Sequence, residues 1–134
     1  MNAALAQITF LVRDYDEAIA WFVGALGFAV IEDTPLSADK RWVVVGGDGG
    51  ARMVLARATS EAQIAAIGRQ TGERVGFFVT CTDFDATYAR MRAAGVQFLE
   101  APRREPYGIV AVFEDLYGGR WDLIEPCMQG RLRD

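Results

Sequence analysis

The residues available for chemistry are mostly carboxylates and guanidinium groups: the 134-residue chain has eighteen Asp and Glu, fourteen Lys and Arg, and no histidine. Ser-His-Asp and Cys-His nucleophiles, imidazole bases and His-dependent metal sites are therefore excluded. Cys81 and Cys127 fit no Cys-x-x-Cys spacing, and Cys81 sits in the apolar run Val75–Cys81, reading as a small buried hydrophobe rather than a redox centre. The glycines around Asp48 precede no helix, so they do not read as a phosphate loop. Arg103-Arg-Glu-Pro-Tyr-Gly-Ile reads as a lid: Pro106 and Gly108 fix a turn, Tyr107 presents a ring and hydroxyl, and Arg103 and Arg104 suit a carboxylate or phosphate. Their plainer role is solvated charge at a strand start. The net charge of −4 disfavours nucleic acid and anionic membrane, both polyanions. No apolar run approaches the ~20 residues of a membrane span. Met1–Ala6 lacks a secretory pattern, so the expected location is cytoplasmic.

An internal repeat positions these groups. Gln7-Ile-Thr-Phe-Leu-Val-Arg-Asp-Tyr-Asp and Gly76-Phe-Phe-Val-Thr-Cys-Thr-Asp-Phe-Asp share a strand-like run and an acidic-aromatic-acidic triplet at a constant offset of 69 (76 − 7, 83 − 14, 85 − 16). After each triplet the apolar period changes from two to about 3.6. Tyr15, Ile19, Phe22, Val23 and Leu26 form the first helical stripe, capped by Asp14 with Glu17 and stopped by Gly27. Phe84, Tyr88 and Met91 form the second, between Asp83 and Gly95. The offset at the stopping glycines is 68 (95 − 27), a slip expected to be absorbed near the helix end. Strands are predicted over 28–32, 41–45 and 52–56, then over 97–100, 109–114 and 121–125. A short helix capped by Ser60 and Gln63 is predicted in the connector 57–74. The fold class is α+β: two tandem βαβββ units, about 5–57 and 74–126, in one domain over 1–134.

The segments Phe10-Leu-Val-Arg-Asp-Tyr-Asp-Glu-Ala-Ile-Ala-Trp-Phe, Ala89-Arg-Met-Arg-Ala-Ala-Gly-Val and Ala111-Val-Phe-Glu-Asp-Leu-Tyr-Gly-Gly-Arg-Trp-Asp-Leu-Ile-Glu-Pro resemble the vicinal-oxygen-chelate superfamily of glyoxalases, extradiol dioxygenases and bleomycin-resistance proteins. The resemblance implies sheets that curl into a cup around a pocket. It also implies metal ligands on the first and last strand of each unit, which map to Gln7, Met53, Gly76 and Asp122. Glycine has no side chain and a thioether is soft, so this set is a poor divalent-metal site, and no cofactor is expected. A displaced ligand such as Glu114 is the route by which a metal could return.

Strand alternation places Gln7, Thr9 and Leu11 on the cup face, with Gly76, Phe78 and Thr80 as their counterparts, and Asp122 and Ile124 beside them. The candidate ligand-binding residues are Gln7, Thr9, Phe78, Thr80, Tyr107 and Asp122, a partly apolar set with few polar handles. An inward Asp122 would have a raised pKa unless paired with an arginine; Asp122 with Glu114 would be the acid–base groups of an enzyme. The leading expectation is a metal-independent protein that sequesters an aromatic or cationic small molecule, with a homodimer formed through the open sheet edges. The alternatives are a lyase, isomerase or dioxygenase, and a structural or regulatory dimer without a ligand.

Overall fold

In the computed structural model, which describes residues 1–127, Asp14 and Asp83 each begin a helix. Asp14 Oδ2 accepts the Glu17 amide at 2.8 Å and Asp83 Oδ1 the Ala86 amide at 3.1 Å, satisfying donors that a helix start leaves open. Helix α1 (Tyr15–Leu26) ends at Gly27, whose φ of 69° turns the chain back over its last turn. The chain divides into two compact units, residues 1–70 and residues from Thr71 onward. Residues 128–134 of the expected 1–134 domain lie outside the described residues.

The first unit contains β1 (Gln7–Val12), α1, β2 (Ala29–Pro35), β3 (Arg41–Gly46), β4 (Arg52–Arg57) and α2 (Glu61–Ala66), with sheet order β1-β4-β3-β2. β1 pairs parallel with β4, and the other pairs are antiparallel. Phe10 and Val12 bury against α1 with Val43, Val45 and Leu55, and the rings of Phe10 and Phe22 meet edge to face at 5.1 Å. Helix α2 belongs to this unit. Beyond it, the Gln70 amide lies along the open edge of β1, donating to the Thr9 carbonyl at 2.8 Å and accepting from the Leu11 amide at 2.7 Å. One side chain thus supplies the pair of hydrogen bonds a neighbouring strand would provide there.

The second unit contains β5 (Phe77–Thr80), α3 (Phe84–Ala93), β6 (Gln97–Phe98), β7 (Arg103–Glu105), β8 (Gly108–Glu114) and β9 (Arg120–Pro126), with order β5-β9-β8-β6 and β7 also on β8. Its core is Phe84, Met91, Phe113, Trp121 and Leu123. Both sheets are open, and the α+β, tandem βαβββ-type architecture is present with one added short strand. The strand expected over 97–100 stops at Phe98. Glu100 turns its side chain back, and Oε2 accepts the Val112 amide at 3.0 Å in place of a backbone carbonyl. The segment expected to be a lid is instead a β7–β8 hairpin, because Arg103–Glu105 finds partners along β8. Cys81, expected in the core, is half-buried beyond the end of β5; burial raises its thiol pKa.

The one-residue slip is not absorbed at the helix end. Ile8 pairs with Met53 and Phe77 with Trp121, so the first strands keep the offset of 69 while the last strands stand 68 apart (121 − 53). The same 68 relates Val45 to Phe113, partners of Met53 and Trp121 on the neighbouring strands. The counterpart of Asp122 is therefore Val54 and not Met53. Met53 points into the helix-covered core, as Trp121 does.

Candidate ligand-binding site

In the second unit, strand alternation sends Trp121 and Leu123 into the core and Asp122 and Ile124 to the opposite face. Register then assembles that face: Phe78 and Val112 flank Asp122, while Thr80 and Val110 flank Ile124. Glu114 lies on the same face, two residues beyond Val112 and opposite Arg120. Phe78, Thr80, Glu114 and Asp122 are thus brought together on one sheet face, whose floor is β-branched and aromatic. Phe78 leaves 63% of its surface open, unusual for a phenylalanine on a sheet. Tyr107 sits between β7 and β8 with about half of its surface exposed.

Asp122 has one carboxylate oxygen, Oδ1, that is buried and has no hydrogen-bond partner. Burial raises its pKa; the nearby Arg103 pulls it down and Glu100 pushes it up. The expected alternative of a structural ion pair is not what the geometry provides. Arg103 is held instead by Glu100 (Nε to Oε1, 2.9 Å) and Glu105 (Nη1 to Oε2, 2.6 Å). Glu100 thus does two things: it completes the ladder at Val112 and it keeps Arg103 from neutralising Asp122.

Gln7 and Thr9 lie in the first unit, on the face that corresponds to this one. Thr9 pairs with Val54 and Gln7 with Arg52. Trp42, Val44 and Glu32 share that face, and Trp42 Nε1 donates to Glu32 Oε1 at 3.1 Å. Glu32 and Glu100 occupy equivalent places one residue beyond the first irregularity of the outer strand, again 68 apart (100 − 32). Sequence reasoning missed both. Carrying the 68 offset from Gly27 and Gly95 onward would have aligned them.

With the corrected register, the positions to which the resemblance assigns metal ligands are Gln7, Val54, Gly76 and Asp122. Valine and glycine offer no side-chain donor. Among the described residues no cluster of three His, Cys, Asp or Glu side chains could hold an ion. This donor set does not fit a divalent metal.

A model of the Glyoxalase/Bleomycin resistance protein/Dioxygenase superfamily matches residues 4–123. A protein from Shewanella frigidimarina is 46% identical over 128 residues, covering 93% of this chain and 95% of its own. The crystal structure of UcmS2 superposes with a TM-score of 0.79 at 31% identity, over 93% of this chain and 99% of that one. TnmS3, an antibiotic-binding protein from Streptomyces sp. CB03234, gives 0.76 at 27% identity, over 95% and 99%. The chain belongs to the glyoxalase/bleomycin-resistance/dioxygenase superfamily. No helix among the described residues is long and apolar enough to cross a membrane.

Proposed function

We propose that this member of the superfamily is a metal-independent cytoplasmic protein that binds an aromatic or cationic small molecule on the Asp122 face. The single observation that carries the reading is the buried, unpartnered Asp122 Oδ1 on the face it shares with Phe78, Val112 and Ile124. An unsatisfied acceptor there costs stability unless a donor fills it, and a ligand N–H or O–H would do so. Phe78 offers a ring to stack on, and Val112 and Ile124 offer apolar contact, the usual composition of a small-molecule site. The antibiotic-binding neighbour at 27% identity supports a sequestering role. The donor-poor metal positions support metal independence.

An enzyme reading has one observation in its favour: a carboxylate with a raised pKa that shares its sheet face with a second carboxylate, Glu114, could move a proton nearer neutrality. The two readings separate cleanly. A thermal-shift screen of aromatic amines, aromatic alcohols and amphipathic cations on purified protein should yield stabilising compounds unchanged on recovery. Asp122→Asn should then weaken those compounds by roughly ten- to a hundredfold, the usual worth of a charge-assisted hydrogen bond. Turnover of a hit that needs a stoichiometric metal, shown by elemental analysis and chelation, would overturn the binding-protein reading.

A further inference from the structure

The two units treat equivalent strand edges differently. β1 ends its sheet on one side, and the Gln70 carboxamide closes that edge, donating to the Thr9 carbonyl and accepting from the Leu11 amide. β5 ends the second sheet in the same way, with β9 as its sole neighbour among the described residues. Under the offset of 69, the groups equivalent to the Thr9 carbonyl and the Leu11 amide are the Phe78 carbonyl and the Thr80 amide (78 − 9, 80 − 11).

Those two groups face outward. On β1 the Val12 carbonyl accepts the Ala58 amide, and at the equivalent residue of the second unit the Cys81 amide donates to the Ile124 carbonyl. Backbone groups alternate in direction along a strand, so Phe77, Val79 and Cys81 turn theirs to β9 while Phe78 and Thr80 turn theirs to the open side. No strand or side chain among the described residues meets them there. Phe78 and Thr80 are also the two exposed residues of β5.

We infer that this edge recognises a primary carboxamide carried by the aromatic ligand of the Asp122 face. Gln70 displays the fit within the molecule. Its carboxamide, with N–H and C=O side by side, spans the carbonyl of one residue and the amide two residues on, at 2.8 and 2.7 Å. β5 has four residues and two outward positions, which matches one carboxamide and offers an added strand little to hold. The Phe78 ring, with 63% of its surface open, belongs to the same residue as the outward carbonyl and seats the ligand's aryl group. The inference rests on the Asp122 reading for that seat and adds the functional group that the ligand carries. A carboxylate lacks the donor and a tertiary amide lacks the N–H, so neither completes both bonds.

The test titrates 2-naphthamide, N,N-dimethyl-2-naphthamide and 2-naphthoate into the full-length protein, followed by calorimetry and backbone amide NMR. 2-Naphthamide should bind 1:1 and shift the Thr80 amide resonance, with the other two compounds weaker by roughly tenfold or more. Thr80→Pro removes the outward N–H at an edge position that tolerates proline, and should cost roughly tenfold in naphthamide affinity. Thr80→Ala keeps the N–H and should stay within about threefold of wild type. Gln70→Ala vacates the first unit's edge, so naphthamide should then shift the Leu11 amide, which it leaves unmoved in wild type. Thermal melts show that each variant is folded; if Thr80→Pro is not, the Thr80 shift in wild type and the Leu11 response in Gln70→Ala decide. Equal binding of the dimethyl amide, an unmoved Thr80 amide, or no saturation at millimolar naphthamide would overturn the inference. Protection of the Thr80 amide from hydrogen exchange in the ligand-free protein would overturn it too, since another chain would already cover the edge. None of these results decides the Asp122 reading, which stands or falls on Asp122→Asn against amine and alcohol hits that carry no carboxamide.

Discussion

At the scale of single residues, Asp122 sets a sign that can be checked without any ligand. Burial lifts its folded-state pKa above the ordinary carboxylate value of 3.8. The folded chain therefore holds this proton more tightly than the unfolded chain does. Between 3.8 and the raised value, the Asp122 contribution to stability falls as pH rises. Asp122→Asn removes the charge and should raise the melting temperature at pH 7, with the gain shrinking towards zero as pH falls below the carboxylate range. A lower melting temperature at pH 7 would mean that Oδ1 has a partner and that the carboxylate is structural. Glu100→Gln gives a companion measurement. It removes a negative charge that raises the Asp122 pKa and frees Arg103 from one of its two partners, so the Asp122 carboxyl resonance, followed by NMR, should titrate at lower pH than in wild type. An unchanged or higher titration point would show that Glu100 does not govern Asp122.

At the scale of elements, the β8–β9 hairpin depends on one buried carboxylate and one glycine. Asp115, only 6% exposed, accepts the amides of Tyr117 and Gly119 through Oδ1 and the Trp121 indole N–H, at 2.8 Å, through Oδ2. A Cβ on Gly119 would stand 2.6 Å from that Oδ2. Asp115→Ala strands three donors, one of them buried, and should cost about 2–4 kcal/mol in a denaturant melt. Gly119→Ala should destabilise too, by forcing the carboxylate off its partners; a variant as stable as wild type would show that the turn can give. The same element shows where sequence reading succeeds and stops. The capping aspartates, stripe residues and strand alternation were legible because each depends on local chemistry and on the periods of helix and strand. The ladder register was legible only in part: the offset of 68 at Gly27 and Gly95 marked the slip, but that it carries through the following strands, making Val54 and not Met53 the counterpart of Asp122, is set by pairing between distant segments. The role of Glu100 was not legible, because its carboxylate stands in for a backbone carbonyl only once β6 and β7 have paired with β8.

At the scale of the whole molecule, the outer strand of the first unit calls for a partner. All seven residues of β2 are exposed, including Val30 and Ile31, each leaving 41% of its surface open, with Leu36 beyond the strand at 55%. An edge strand with apolar residues exposed on its own is an invitation to pairing, and natural chains normally blunt or cover such an edge. Of the strand's two carboxylates, Asp33 is paired with Arg41 and Glu32 is turned to the Trp42 indole. We propose that a second copy covers this edge, which a twofold dimer would do for both chains at once. Sedimentation equilibrium at micromolar concentration should therefore give about twice the chain mass of 14.7 kDa. Ile31→Lys should return the protein to the chain mass with its circular dichroism unchanged, because Ile31 is exposed and its loss costs the unit no core. A wild-type species of single-chain mass would leave β2 a bare edge and refute the dimer, and a dimer indifferent to Ile31→Lys would place its interface elsewhere.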